Sequence, residues 1–66
     1  MTITVNGATR TVAPGLTLGG LLQELELVPE GVAVAVNLHV VPRGQVATRA
    51  LAEGDQVEVV RAVGGG

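Results

Sequence analysis

The sequence contains no cysteine, no lysine and no aromatic residue, and only one histidine and one methionine. Without cysteine there are no disulfides and no thiolate zinc site. There is also no side-chain thiol to carry sulfur or an acyl group. Without lysine there is no ε-amine to attack an activated acyl group on this chain or a neighbouring copy. A lone histidine, His39, does not assemble a metal cluster, so no metal is expected. Without aromatics there are no stacking platforms for bases. The four arginines, Arg10, Arg43, Arg49 and Arg61, are scattered and the net charge is −2. Nucleic-acid binding is therefore not expected. The longest apolar run, Val32 to Val36, is far too short to cross a bilayer. No basic-then-apolar leader precedes it, so the expected setting is the cytoplasm, with no membrane attachment.

What is present is aliphatic. The 66 residues suffice for one domain, and a core of that size is marginal. Valine, leucine and alanine have to supply it.

Two alternating β-branched runs, Met1–Val5 and Ala8–Val12, flank Asn6-Gly7, a strong hairpin signal. Two registers are open. A two-residue type I′ loop places Arg10 on the face of Ile3 and Val5. A bulged turn with Gly7 in the left-handed conformation places Thr9 and Thr11 there instead. The second avoids burying a guanidinium and is the expected one. Pro14-Gly15 marks a turn. Thr17 is a suitable N-cap. Leu18, Leu21, Leu22 and Leu25 then form one apolar stripe of a helix expected to end near Leu27, before Pro29 and Gly31.

Val32 to Asn37 reads as a third strand with its valines on one face and its alanines on the other. Asn37-Leu38 begins a turn, and His39 to Val41 make a short fourth strand limited by Pro42. Arg43 to Ala50 has no firm period and has room for a helical turn. Gly54-Asp55 is a tight turn. Gln56 to Val63 is the last strand, with Val57 and Val59 on one face and Glu58, Val60 and Ala62 on the other. The order ββαβββ suits a mixed sheet with one helix across it, an α+β β-grasp.

The segments "VAVNLHVVPR" and "LAEGDQVEVVRAV", followed by a terminal Gly-Gly, resemble the bacterial sulfur carrier proteins of thiamin biosynthesis, the ThiS family. The hairpin, the "LTLGGLLQEL" helix and the Gly-Asp turn fall in the family's order. The resemblance covers essentially the whole chain. It implies a ubiquitin-like β-grasp over residues 1–63 and a flexible tail, 64–66, ending in a reactive carboxylate. On this sequence the reactive position is Gly66, with Gly65 as its neighbour and Gly64 as tail extension. The implied chemistry is adenylation of that carboxylate by an E1-like enzyme, which uses the ATP. Sulfur then comes from a persulfide donor such as a cysteine desulfurase. The implied recipient is thiazole synthase, which takes the sulfur from the resulting thiocarboxylate to build the thiazole of thiamin. The carrier itself is not an enzyme and binds no cofactor. Molybdopterin and tRNA thiolation are alternative destinations, and a non-reactive β-grasp binding module is an alternative of another class.

The residue types suit that chemistry. A carboxylate is a poor electrophile until adenylation attaches a leaving group; covalent activation then splits one hard step into two. Glycines thread a narrow channel and adopt whatever φ it imposes. Partner recognition is expected upstream, on an apolar patch of Val60, Ala62 and aliphatics of the fourth strand, Val40 or Val41, with Glu58 and Arg61 setting register at its rim.

Other features carry plainer readings. Gly19-Gly20 is internal and reads as close packing or an exposed helix start. Glu24, Glu26 and Glu30 read as a solvated face, His39 as an exposed strand or turn residue. Asn37 and Asp55 read as turn residues.

Overall fold

The computed structural model describes residues 1–61. Strand β1 (Thr2–Val5) turns into β2 (Ala8–Thr11) through Asn6 and Gly7, whose φ angles are 51° and 84°. Two successive positive φ values make a type I′ turn, whose twist matches that of the flanking strands. Val5 lies opposite Ala8, and Ile3 opposite Arg10. The bulged register does not form, and Arg10 shares the face of Ile3. Its charge is not buried, because β2 is an edge strand. The guanidinium reaches Glu24 across 3.3 Å, with both side chains about two-fifths exposed (38% and 43%).

Thr17 caps helix α1 (Leu18–Glu24) by accepting the Gly20 N–H at 3.1 Å. Leu18, Leu21 and Leu22 are fully buried, and Leu25 is half-buried. The helix stops at Glu24, three residues before the expected end. Glu26 takes a left-handed φ of 60°. Its N–H donates to the Gln23 carbonyl, and the Leu27 N–H donates to the Leu22 carbonyl. These two bonds form a Schellman cap. A glutamate occupies the position where glycine is usual.

A single 3-10 turn (Pro29–Gly31) leads into β3 (Val32–Val36). The type I′ pair Asn37 and Leu38, at φ 52° and 70°, then reverses the chain into the two-residue strand β4 (His39–Val40). A one-turn helix α2 (Arg43–Val46) follows, and β5 (Gln56–Arg61) completes the set. Beyond α2, Ala47 to Leu51 runs beside the start of α1. Leu18 N–H donates to the Arg49 carbonyl, and Leu51 N–H to the Leu16 carbonyl. Gly19 meets this segment so closely that a Cβ there would lie 2.9 Å from the Ala47 carbonyl oxygen.

The sheet order is β2-β1-β5-β3-β4. The strand latest in the sequence is therefore central, parallel to β1 and antiparallel to β3. One face packs on the helices. Ile3, Val34, Val36 and Val57 from the sheet meet Leu18, Leu21, Leu22, Val46 and Leu51 in one aliphatic core with no buried polar side chain. This is the expected α+β grasp of one main helix by a mixed sheet. Among the described residues, no helix is long and apolar enough to cross a membrane.

Candidate functional site

The opposite face of the sheet is open. Along β5 the alternation is as expected. Val57 is buried, while Glu58 and Val60 point outward, Val60 with 63% of its surface exposed. On β3, alanines take the outward positions. Registry then sets the pattern: Ala33 lies opposite Val60, and Ala35 lies opposite Glu58 on one side and Val40 on the other. Val40 is 78% exposed. Two valines thus stand at the margins of a floor of two alanines. With Glu58 and Val34 they enclose a shallow depression of about 160 Å³. The small floor residues keep the depression open, and the flanking valines supply apolar walls.

Of the two fourth-strand candidates, Val40 belongs to this face and Val41 does not. Val41 is 5% exposed and sits in the core, its N–H bonded to the Val34 carbonyl at 2.9 Å. Adjacent residues of an extended chain point to opposite faces, so only one of the pair could ever contribute. Arg61 is exposed beyond Val60, opposite Val32, and Glu58 lies at the edge of the depression. These two are the charged residues nearest the apolar patch along β5.

Ala62, Gly64, Gly65 and Gly66 lie outside the described residues, as does the boundary expected after residue 63. The origin of that segment is nonetheless defined. Arg61 pairs with Val32. One residue pair earlier in the ladder, the side chain of Asn6 binds both backbone groups of Val59. Its Oδ1 accepts the N–H at 2.8 Å, and its Nδ2 donates to the carbonyl at 3.2 Å. Asn6 thus acts as one more strand residue where β1 has already turned away. Nothing in a linear reading shows this contact, because the two residues are 53 positions apart.

Asn37 and Asp55 form a second brace, at the start of β5. Asn37 Nδ2 donates to Asp55 Oδ1 at 3.0 Å, and Asn37 Oδ1 accepts the Gln56 N–H at 3.0 Å. Asp55 Oδ2 accepts the Ala52 N–H at 2.8 Å. Both residues are therefore turn-builders. Leu38 is the exposed residue that sequence reasoning missed, at 81% exposure and left-handed φ. The signal available was Asn37 at the start of a two-residue hairpin loop, which places the next residue at the tip. His39 is exposed, and among the described residues no three potential metal ligands converge.

Comparison with known proteins adds to this geometry. The model of the ThiS family matches residues 3–66. A thiazole synthase from Magnetococcus marinus is 47% identical over all 66 residues, and the chain spans about a fifth (20%) of that relative's length. The sulfur carrier protein ThiS of Escherichia coli is 35% identical, with both chains covered in full. The crystal structure of a thiamine biosynthesis protein, ThiS, from Geobacter metallireducens superposes with a TM-score of 0.84 at 36% identity, again covering both chains completely.

Proposed function

This chain belongs to the ThiS family, and on that premise we propose that it is a sulfur carrier of thiamin biosynthesis, a protein co-substrate and not a catalyst. The observation that carries the reading is the family match through residue 66, which includes the Gly64-Gly65-Gly66 segment. In a chain ending at Gly66, the reacting group is its carboxylate. An E1-like enzyme transfers AMP from ATP to that carboxylate, replacing a poor leaving group with a good one. A persulfide sulfur attacks the acyl carbon and AMP departs. Reductive cleavage of the S–S bond by a thiol leaves a thiocarboxylate on Gly66. Thiazole synthase is the proposed acceptor, a choice supported by the thiazole synthase that contains a segment 47% identical to this chain.

Recognition falls to the open sheet face. Val60 and Val40, with Ala33 and Ala35 between them, offer apolar surface close to where β5 leaves the sheet. Arg61 and Glu58 add charge at its margin, and Ala62 continues the alternation in sequence. Covering two valines contributes about 1.5 kcal/mol or more apiece. That helps offset the roughly 1–2 kcal/mol per residue needed to order a glycine tail in a partner's channel.

Intact mass decides the matter. The protein is incubated with the adenylating enzyme, ATP and a persulfide donor. Replacement of one oxygen by sulfur at Gly66 is expected. An unchanged mass, with enzyme and donor shown active on a known carrier, overturns the reading. Reconstitution with thiazole synthase, compared with molybdopterin and tRNA thiolation enzymes, then selects the pathway.

A further inference from the structure

An activated acyl group is attacked by amines as well as by sulfur, and the 66 residues offer one primary amine, the α-amine of Met1. Arginine stays protonated and does not compete. We infer that the fold holds this amine beyond the reach of the chain's own activated end, so that the activated carrier is protected from closing into a ring. The inference rests on the proposed activation of Gly66.

The parallel pairing of β1 with β5 sets the geometry. Thr4 lies beside Gln56 and Val5 beside Val57, with the two strands running the same way. Met1 is three residues upstream of this register, and Arg61 is five residues downstream of Gln56. At ~3.3 Å per residue they are about 27 Å apart along the strand direction. The five residues after Arg61 span at most about 18 Å when fully extended. They would also have to run back against the direction of β5. Closing the gap requires peeling about three more residues from the sheet. That breaks the Arg61–Val32 and Val60–Ala33 pairings and the Asn6 clamp on Val59. The Met1 ammonium is itself engaged, donating to the Val12 carbonyl oxygen at 2.7 Å in a partly buried position.

The step being prevented is ordinary acyl transfer. The amine nitrogen would form a C–N bond to the Gly66 carbonyl carbon, the bond to AMP or to sulfur would break, and the amine proton would leave with the departing group. The absence of lysine removes every other amine from the surface. The opposed placement of the two ends disposes of the one that remains.

The test uses the full 66-residue protein bearing a small thioester in place of the Gly66 carboxylate, at high dilution, followed by intact mass. Hydrolysis to the free acid is expected, with no cyclic amide. Glu30→Lys places an amine on the exposed turn just before Val32, the residue paired with Arg61. It is expected to cyclise at least ~100-fold faster than the parent, because the amine lies within the tail's reach. Thr11→Lys, at the Met1 end opposite Thr2, is expected to behave like the parent. Cyclisation of the parent at a rate near that of Glu30→Lys overturns the inference. So does a folded Glu30→Lys protein that only hydrolyses. The thioester needs no adenylating enzyme, so failure here and failure of the sulfur-transfer assay are seen in separate experiments.

Discussion

Asn6 holds Val59 by both edges of its side-chain amide, across 53 residues of sequence. Asn6 also has a left-handed φ of 51°, which asparagine tolerates better than most residues. Two substitutions separate these roles. Asn6→Gly keeps the backbone relaxed and removes the clamp, and is expected to cost about 1–2 kcal/mol. Asn6→Ala adds backbone strain and is expected to cost roughly 1 kcal/mol more. Urea unfolding gives both values. Hydrogen exchange at the Val59 amide should accelerate in each variant.

Gly19 and Gly20 are neighbours in sequence with opposite expected responses. A Cβ on Gly19 meets the Ala47 backbone at 2.9 Å, whereas a Cβ on Gly20 meets the end of the Leu16 side chain at 2.7 Å. Backbone cannot step aside, and a leucine methyl can rotate. Gly19→Ala is expected to destabilise by about 1–3 kcal/mol despite better helix propensity. Gly20→Ala is expected to be neutral or to stabilise by up to about 1 kcal/mol. Thermal unfolding of the two single variants checks the contrast.

The two valines of the fourth-strand region divide in the same way. Val40→Asp and Val60→Asp place a charge on the open face, and the fold is expected to lose less than about 1 kcal/mol. Affinity for thiazole synthase and for the adenylating enzyme is expected to fall at least ~10-fold, the loss of one buried apolar contact. Val41→Asp puts a carboxylate in the core and is expected to unfold the domain. Circular dichroism and a titration calorimeter distinguish the outcomes.

Glu26 closes the helix in a conformation suited to glycine. Glu26→Gly is expected to raise stability by about 0.5–1 kcal/mol, because relief of the left-handed strain exceeds the added chain entropy. A lower urea midpoint would count against this account of the cap.

Much of the fold was legible because the periods are strong. Leucines at helical spacing, valines alternating with alanines, and Val57 alternating with Glu58 and Val60 place the core and the open face. The readings that differ turn on contacts distant in sequence. The hairpin register was expected to spare Arg10 from burial, yet Glu24, 14 residues away, gives the guanidinium a partner at the edge of the sheet. The helix was expected to run to Leu27, but a Schellman cap built on glutamate carries no composition signal. A strand of two residues has too little period to separate Val40 from Val41. The site itself was legible only in part. Alternation identified Val60 and Glu58, whereas the alanine floor and the Asn6 clamp depend on strand order, which no local pattern contains.

The central position of β5 has a consequence for how the protein is made. During synthesis, β1, β2, α1, β3 and β4 all emerge before it. Until Gln56 to Arg61 are available, β1 and β3 face each other across an empty lane, each with an unpaired edge. The domain then has no continuous outer face, and Val60 is missing from it. A partner that recognises that face therefore meets only chains whose final strand is already in place. A chain interrupted earlier lacks the docking surface and the tail together, so folding acts as the proofreading step that precedes activation.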